Sequence, residues 1–401
     1  MDRRVVGLLL VLALVVRLGY IAATPGYRAI DDAHNYDVHA RSIAAGHGFA
    51  RIGSGPSGET AFRPPGYPYF LAGIYALEGR DRLASPDRVV PARIANALVG
   101  TAIVALIGVL AAQLFDRRVA LAAMALGALY LPLILVGGTL MSEPLFAALL
   151  LGALAVALHH RGSAHRWRWA LVAVALATVA PWTIRNAVVF HTFVPVSTQL
   201  GSALAGTYND AARTDRAHPA SWRSLRRVPD YQYLIRRWRE IPEPVLDRKL
   251  RAAALRYASD HPGYVADVVF WNSIRMLDLA GMSWSRHTAS TISIGPRWAD
   301  AGVVCFWLFA AFAIAGALTS RGRRMPPYVA AVPALLYLSV VFFVFETPRY
   351  RTGIDPFIVI LAGVAAQAVW SRLSTRLTPS TAAVAFTSFW ISSSLSRRPR
   401  R

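Results

Sequence analysis

The chain has 401 residues, of which 55% are hydrophobic, and its 43 basic and 22 acidic residues give a formal net charge of +21. Apolar runs of about 20 residues recur along the chain, which excludes a soluble domain and is not explained by a signal peptide alone. The basic residues flank these runs and no nucleic-acid-binding module is visible, so we expect no nucleic-acid partner. A single cysteine, Cys305, excludes a disulfide framework. The sequence shows no metal-ligand cluster and no P-loop, so we expect no metal and no cofactor.

Eight membrane spans are predicted in chain order. They lie at about 5–23, 93–115, 118–138, 144–159, 167–189, 299–318, 326–345 and 353–371. Short basic segments connect them, and all of these segments fall on one side if both termini are cytoplasmic. The predicted fold class is therefore an all-α polytopic membrane protein of the cytoplasmic membrane. Two long loops, at about 24–92 and 190–298, are expected on the extracytoplasmic side.

Further expectations concern the loops and the ends of the chain. The second long loop contains an amphipathic helix over 243–260, which His261 and the following proline end. Arg17 lies within the first span, and its side chain is expected to extend toward the interface. We assign residues 1–377 to one transmembrane domain and 378–401 to a basic, disordered tail.

The segment IDDAHNYDVHARSIAAGHGFA follows the first span and combines adjacent carboxylates with a helical pattern. Asp32, Tyr36 and His39 fall on one face of a helix that Gly46 ends. Two interpretations of the carboxylates are open. Asp31 or Asp32 is the N-cap of this helix, or one of them is a general base at the membrane interface that accepts a proton from an acceptor hydroxyl.

Other charged residues also fall near the outer ends of the predicted spans. Taken singly, each has a simple explanation as a solvated turn residue or a lipid-headgroup anchor. Taken together, arginines and carboxylates at headgroup depth suit transfer from a lipid-phosphate sugar, because arginine binds phosphate and stabilises it as a leaving group. These residues are Glu143 in a tight turn, Arg63 before two prolines, Arg185 at the end of a span, and Arg349 and Arg351 in a second tight turn.

Five segments, in this order, resemble landmarks of bacterial membrane glycosyltransferases of the GT-C superfamily. They are DAHNYDVHARSIAAGHGF, FRPPGYPYFLAGIYAL, LMSEPLF, PWTIRNAVVFHTFVPVST and RYRTGIDPF, and the similarity extends over residues 5–371. The group that the chain resembles is glycosyltransferase family 39, the protein mannosyltransferases and aminoarabinose transferases, and their relatives.

The resemblance implies a GT-C type helix bundle and an inverting transferase that uses a polyprenyl-phosphate sugar outside the cytoplasmic membrane. Its other implied partners are membrane lipid and a hydroxyl acceptor, which is a protein, a lipid or a polysaccharide. Carried over residue by residue, it predicts Asp32, or its close competitor Asp31, as the base; Glu143 as the second acidic residue; donor-phosphate binding by Arg63, Arg185, Arg349 and Arg351; and supporting contacts from Tyr36, His39 and Tyr350.

One departure from the resembled family lies between the fourth span and PWTIRN. Relatives carry a further membrane hairpin there, so roughly two spans of about 20 residues are absent from this chain. Two rival functions stay open. One is a transporter or lipid flippase, which would place polar groups at the bilayer midplane. The other is a catalytically degenerate homologue with a scaffolding role.

Overall fold

A computed structural model of the protein describes residues 2–50, 58–160, 166–342 and 348–377. This part of the chain is helical and contains no β-strand. The predicted tail, 378–401, lies outside the described residues. The α-helices are α1 (Arg3–Ala23), α2 (Asp31–Ala44), α3 (Gly66–Glu78), α4 (Val89–Leu114), α5 (Arg117–Leu129), α6 (Leu131–Gly137), α7 (Glu143–His159), α8 (Arg166–Phe190), α9 (Leu200–Thr207), α10 (Asp210–Arg213), α11 (Gln232–Arg236), α12 (Glu243–Asp260), α13 (Pro262–Met276), α14 (Met282–Ser290), α15 (Pro296–Leu318), α16 (Pro327–Val341) and α17 (Asp355–Leu377).

The membrane-crossing helices follow the predicted order. Helices α1, α4, α8, α15 and α17 are each long and apolar enough to span a bilayer. Helices α7 and α16 are shorter, with 17 and 15 residues. Residues 343–347, at the end of one predicted span, lie outside the described part of the chain. The chain is therefore a multi-pass helical membrane protein.

The predicted span 118–138 is a bent pair of helices and not one straight span. Helices α5 and α6 meet at Tyr130, and their axes differ by 54°. Pro132 in the first turn of α6 explains the break. Proline has no amide hydrogen, and in a continuous helix its ring would collide with the carbonyl group four residues earlier.

Arg17 does not extend toward the interface as expected. Its side chain is buried, and Nη1 donates a hydrogen bond of 2.9 Å to the carbonyl oxygen of Ala13 in the same helix. Helix α4 leaves room for the guanidinium at Gly100, where an added Cβ would lie only 2.7 Å from Arg17 Nε. The prediction was wrong because this face of α1 packs against α4 and does not face lipid.

Small residues allow several spans to pack closely. An added Cβ at Gly316 of α15 would lie 1.9 Å from the carbonyl oxygen of Leu361 on α17. At Gly363 of α17 it would lie 2.9 Å from the backbone nitrogen of Ala123 on α5. Helix α17 thus contacts both α15 and α5 backbone to backbone, as small residues permit in membrane bundles.

Helix α8 differs from the other spans in its burial. Only 11% of its most apolar stretch is buried within the protein, compared with 50% for the span that includes α4. Most of the apolar surface of α8 therefore faces outward from the described helices.

The helices of the first long loop pack on one end of the bundle. Tyr36 of α2 and Tyr67 of α3 belong to the same apolar core as Tyr20 of α1 and Leu140 after α6. Helix α2 ends as expected, because Gly46 adopts a positive φ of 86° and the chain turns away there. The N-cap interpretation of the aspartates was wrong. The N-cap is Ile30, which makes no side-chain cap hydrogen bond.

The second long loop forms a helical unit with its own core. Tyr208, Leu250 and Tyr264 are among its buried residues. The predicted amphipathic helix over 243–260 is confirmed as α12. Both long loops are thus built from packed helices and short connections.

Candidate active site

A carboxylate held by two arginines lies where the first long loop meets the membrane bundle. Asp32, in the first turn of α2, accepts hydrogen bonds at both carboxylate oxygens. Arg63 Nη2 donates to Oδ1, and Arg349 Nη2 donates to Oδ2. The Asp32 side chain keeps 22% of its surface exposed, whereas the two arginines keep 5% and 8%. A small ligand therefore reaches the carboxylate more easily than the guanidinium groups behind it.

Arg349 joins Asp32 to the second predicted acidic residue. Its Nε lies 3.4 Å from Glu143 Oε1, and its Nη2 donates a 2.9 Å hydrogen bond to the hydroxyl of Tyr350. The guanidinium also lies 4.8 Å from the centre of the Tyr350 ring. Asp32, Glu143, Arg349 and Tyr350, which are far apart in the sequence, thus form one cluster.

The position of Glu143 depends on the turn between α6 and α7. Arg93 Nε donates to the carbonyl oxygen of Gly138 at 2.6 Å, and Asn96 Nδ2 donates to that of Thr139 at 2.6 Å. Glu143 then begins α7, where the positive end of the helix dipole favours a carboxylate. Two buried polar side chains of α4 therefore hold the turn that carries Glu143.

Tyr36 connects α2 to the same turn. Its hydroxyl forms a 3.1 Å hydrogen bond with the hydroxyl of Ser142, which also donates a 3.4 Å bond to Glu143 Oε2. The Arg63 guanidinium lies 5.2 Å from the centre of the Tyr36 ring, within the range of a cation–π contact. The predicted helical face that pairs Asp32 with Tyr36 is therefore confirmed, because Arg63 contacts both side chains.

The charges around Asp32 determine its protonation. Burial alone would favour the neutral acid, but the Arg349 and Arg63 guanidiniums outweigh that effect and lower the pKa of Asp32 to about 2. Burial raises the pKa of Tyr350 to about 12 and also raises that of Tyr36. The resting site thus holds an ionised carboxylate, two cations and neutral phenols.

Asp31 differs sharply from its neighbour. It is exposed, and its φ of +47° lies in the left-handed region. Its backbone carbonyl accepts a hydrogen bond from Asn35 Nδ2 at 2.9 Å. Asp32 is therefore the member of the pair that belongs to the arginine cluster.

Arg351 has other partners than the predicted donor phosphate. Its Nη1 lies 3.0 Å from Asp278 Oδ2, its Nε lies 3.0 Å from Asp355 Oδ1, and its guanidinium lies 3.4 Å from the centre of the Phe306 ring. Two buried carboxylates thus already neutralise this cation. Arg351 thus joins the end of α13 and the segment after it to the start of α17, and its predicted donor-phosphate contact stays a prediction.

Arg185 and His39 also lie apart from the cluster. Arg185 Nη1 donates to the carbonyl oxygen of Thr60 at 3.0 Å and stacks on Trp182. The His39 ring stacks on Phe49 at 4.6 Å. Neither contact involves Asp32, so both side chains support the first long loop where it meets α8.

A third aspartate of α2, which the sequence did not single out, is fully enclosed. Asp37 accepts hydrogen bonds from Tyr75 Oη at 2.8 Å and from Arg88 Nη2 at 2.6 Å, and Arg41 Nε lies 3.3 Å away. A sequence signal existed, because Arg41 follows Asp37 by four residues on the same helical face. Asp37 has a structural role that links α2 to α3.

A small, partly open cavity of about 70 Å³ lies beside the arginine cluster, and Asp278, Arg351 and Asp355 are among its lining residues. Arg349 lines it together with apolar side chains of α6 and α15 and of the segment after α14. Those apolar residues include Leu135, Val136, Ile292, Ile294 and Val303. This side of Arg349 therefore combines a cation with apolar walls. Within the described ranges, no group of three or more His, Cys, Asp or Glu side chains is placed to hold a metal ion.

Comparisons with known proteins give only distant similarity. No family model and no curated protein matches the chain. The fold is similar to a crystal structure of the Archaeoglobus fulgidus oligosaccharyltransferase with Zn and sulfate, at 14% identity and a TM-score of 0.46, covering 94% of this chain and 51% of that one. It is also similar to archaeal oligosaccharyltransferase AglB from Archaeoglobus fulgidus in complex with an inhibitory peptide and a dolichol-phosphate, at 13% identity and a TM-score of 0.47, covering 98% and 52%. The chain spans about half the length of these proteins, and similarity at this level does not assign an activity.

Proposed function

We propose that the protein transfers a sugar from a polyprenyl-phosphate-linked donor to a hydroxyl acceptor on the extracytoplasmic side of the membrane. One observation carries this proposal: each oxygen of the Asp32 carboxylate is held by a buried arginine beside an apolar cavity. A base and two phosphate-binding groups are thereby adjacent to an apolar surface. The ordered motifs that resemble family 39 transferases support the same reaction.

The resting site suggests an exchange of partners when the donor binds. The donor phosphate is a phosphodiester whose two non-bridging oxygens share one negative charge, so Arg63 and Arg349 can bind these oxygens as they bind the two oxygens of the Asp32 carboxylate. Binding of the phosphate would draw both guanidiniums away from the carboxylate. The released carboxylate becomes a stronger base, because the cations that lowered its pKa now face the phosphate.

The bond changes of the proposed transfer balance without a further reactant. The acceptor oxygen attacks the anomeric carbon on the face opposite the phosphate, and its proton moves to Asp32. The bond between the anomeric carbon and the phosphate oxygen breaks, and its electron pair leaves with the polyprenyl phosphate. Arg63 and Arg349 stabilise that developing charge. Attack from the opposite face inverts the anomeric configuration.

The remaining residues of the cluster receive supporting roles in this proposal. Glu143 keeps Arg349 in place through the 3.4 Å contact and offers a second carboxylate to the acceptor. Tyr36 orients Arg63 through its ring. Arg351 and Arg185 maintain the surrounding loops. The second long loop is the proposed acceptor-facing region, and the acceptor class stays open between protein, lipid and polysaccharide.

The two rival functions, a flippase and a degenerate scaffold, do not require the contacts that Asp32 and Glu143 make with Arg349. A flippase or a degenerate scaffold has no reason to keep Asp32 and Glu143 on one arginine. The shared contact with Arg349 therefore favours the transferase.

The first test is transfer of radiolabelled sugar from several polyprenyl-phosphate donors in membranes that contain the full chain. Asp32→Asn is expected to lower the rate by about 100-fold or more, the range of general base catalysis. Asp31→Asn is the matched control, because the neighbouring carboxylate is exposed and outside the cluster, and it should stay near the wild-type rate.

Two results would contradict the proposal. Equal rates in Asp32→Asn and wild type would remove Asp32 as the base. No transfer by the wild type from any donor, while a family 39 enzyme is active in parallel, would favour the degenerate scaffold.

A further inference from the structure

We infer that Glu243, the first residue of α12 in the second long loop, is a positioning residue that holds Arg63 against Asp32. An effect of Glu243 on catalysis rests on the proposed function, whereas its contact with the segment before Arg63 does not. Glu243 is distant from Arg63 in the sequence and is not one of the landmarks of the resembled family. The inference follows from a chain of hydrogen bonds between the two long loops.

Both carboxylate oxygens of Glu243 bind the segment just before Arg63. Oε2 accepts a hydrogen bond from Thr60 Oγ1 at 2.7 Å, and Oε1 accepts one from the Ala61 amide at 2.8 Å. Oε1 also accepts from Thr198 Oγ1 at 2.5 Å. Hydrogen bonds to an ionised acceptor are the stronger kind, so this carboxylate is a firm anchor for residues 60 and 61.

Neighbouring contacts complete the anchor. The Thr198 amide donates to the carbonyl oxygen of Ala61 at 3.0 Å, and Arg185 Nη1 donates to that of Thr60 at 3.0 Å. Thr60 and Ala61 are both fully buried. The segment is therefore bound from α8, from the start of the second long loop and from α12.

The anchor reaches Arg63 within two residues. Thr60 Oγ1, while donating to Glu243, accepts a hydrogen bond from the Phe62 amide at 3.0 Å. The Arg63 guanidinium packs 5.2 Å from the centre of the Phe62 ring. Pro64 and Pro65 follow and restrict the backbone on the other side. Loss of Glu243 would free the threonine hydroxyl and, with it, the stretch that aims Arg63.

Removal of Glu243 changes the pKa of Asp32 in opposite directions in two cases: if Glu243 positions Arg63, and if Glu243 acts only through its own charge. Charged and titratable groups around Asp32 are Arg63, Arg349, Tyr36, Tyr350 and Glu143. If Glu243 positions Arg63, its removal moves one of two cations away, and protonation of Asp32 becomes easier. Removal of the Glu243 charge alone would act in the opposite direction, because a lost negative charge makes an acid easier to ionise.

The experiment compares Glu243→Ala with Asp247→Ala in the purified full chain in detergent micelles. Asp247 is a matched control on the same helix, because its Oδ1 accepts a 2.6 Å hydrogen bond from the Gly201 amide within the second long loop. The readout is the pH midpoint at which an apolar carbodiimide modifies protonated Asp32, located by peptide mass spectrometry. Thermal unfolding is recorded for both variants.

Glu243→Ala is expected to raise the midpoint of Asp32 modification by about one pH unit or more, toward the ordinary aspartate value of about 3.9. Asp247→Ala should lower the unfolding temperature without moving that midpoint. Glu243→Asp, which keeps the charge on a shorter side chain, should restore part of the wild-type behaviour. An unchanged or lowered midpoint in Glu243→Ala would overturn the inference.

Sugar transfer distinguishes this inference from the proposed function. If wild-type protein transfers sugar, the acid limb of kcat/KM should move upward in Glu243→Ala and stay in place in Asp247→Ala. If wild-type protein transfers none, the proposed function fails, and the carbodiimide midpoint still decides whether Glu243 positions Arg63.

Discussion

Asp31 and Asp32 occupy consecutive positions and have opposite surroundings. The positive φ of Asp31 belongs to a conformation that aspartate tolerates better than most residues, and it turns the chain into α2. Asp32 then follows on the side of the helix that faces Arg63 and Arg349. The left-handed conformation of Asp31, the first residue of α2, thus determines the direction in which the Asp32 carboxylate points.

At this scale, we predict a difference between two pH profiles of the transfer reaction. At saturating acceptor, the profile of kcat/KM for the donor reports the enzyme before the donor binds, and that of kcat reports the enzyme with the donor bound. In the free enzyme the arginines lower the pKa of Asp32 to about 2. Bound phosphate occupies those arginines and adds negative charge, and both effects raise the pKa of Asp32. The acid limb of kcat should therefore lie at higher pH than the acid limb of kcat/KM.

The measurement needs both profiles at saturating acceptor, for wild type and Asp31→Asn. The exposed neighbour should leave the separation between the two limbs unchanged. If the acid limbs of the two profiles coincide, Arg63 and Arg349 remain on Asp32 when the donor is bound. That result would contradict the proposed movement of the two arginines from Asp32 to the donor phosphate.

The two arginines of the RYR motif show what the sequence did and did not predict about the site. The motif placed both near the end of the bundle, but only Arg349 reaches Asp32. Residues 348–353 form a 3₁₀ helix, in which each residue turns the chain by about 120°, so side chains two positions apart point about 120° away from each other. Arg351 therefore faces Asp278 and Asp355. Residue spacing alone does not predict that the two arginines point in different directions, because a tight turn of unknown backbone conformation fixes no angle between its side chains.

At the scale of elements, α2 is fixed by the buried Asp37 as well as by its apolar face. Its carboxylate binds Tyr75 of α3 and Arg88 in the short 3₁₀ helix Pro86–Arg88 before α4. Asp32 is five residues earlier on the same rigid helix. The geometry of the candidate base thus depends on an ion pair outside the site.

We predict that Asp37→Asn destabilises the protein by about 3 kcal/mol, the lower end for breaking a buried ion pair, because the amide keeps part of the hydrogen bonding. The measurement is thermal unfolding of the purified protein, followed by tryptophan fluorescence. Asp31→Asn, at an exposed position of the same helix, is the control and should be close to wild type. A stability of Asp37→Asn equal to the control would show that the Arg88 pair contributes little.

The elements also show where sequence patterns succeed. Helix α12 was predicted with its observed bounds, because a proline-rich start and a His-Pro end bracket an amphipathic pattern. The bend between α5 and α6 was missed although Pro132 was visible. A hydropathy window measures how apolar a segment is and contains no information about its backbone direction, so a broken span and a straight one are equivalent to it.

At the scale of the whole molecule, the two long loops share one function in our proposal. The first supplies Asp32 and Arg63, and the second supplies Glu243, which anchors the segment before Arg63. This arrangement requires both loops on the same side of the membrane. The sidedness depends on the number of crossings between the two loops. Among these crossings, α4 and α8 are single helices long enough to span a bilayer, whereas α5–α6 is a bent pair and α7 is shorter.

Sidedness can be measured with single cysteines, because Cys305 is the only native one. In a Cys305→Ser background, Asp31→Cys and Arg323→Cys place a thiol at exposed positions before α4 and after α15. Five predicted crossings separate them: α4, the pair α5–α6, α7, α8 and α15. An odd number puts the two positions on opposite sides.

A membrane-impermeant maleimide added to intact cells should therefore label Asp31→Cys and should label Arg323→Cys only after permeabilisation. Labelling of both in intact cells would mean that one segment, the bent pair first of all, returns to its own side. Unless the returning segment is α15, which follows Glu243, that result would place Glu243 across the membrane from Asp32, and it would contradict the contacts on which the proposed site is built.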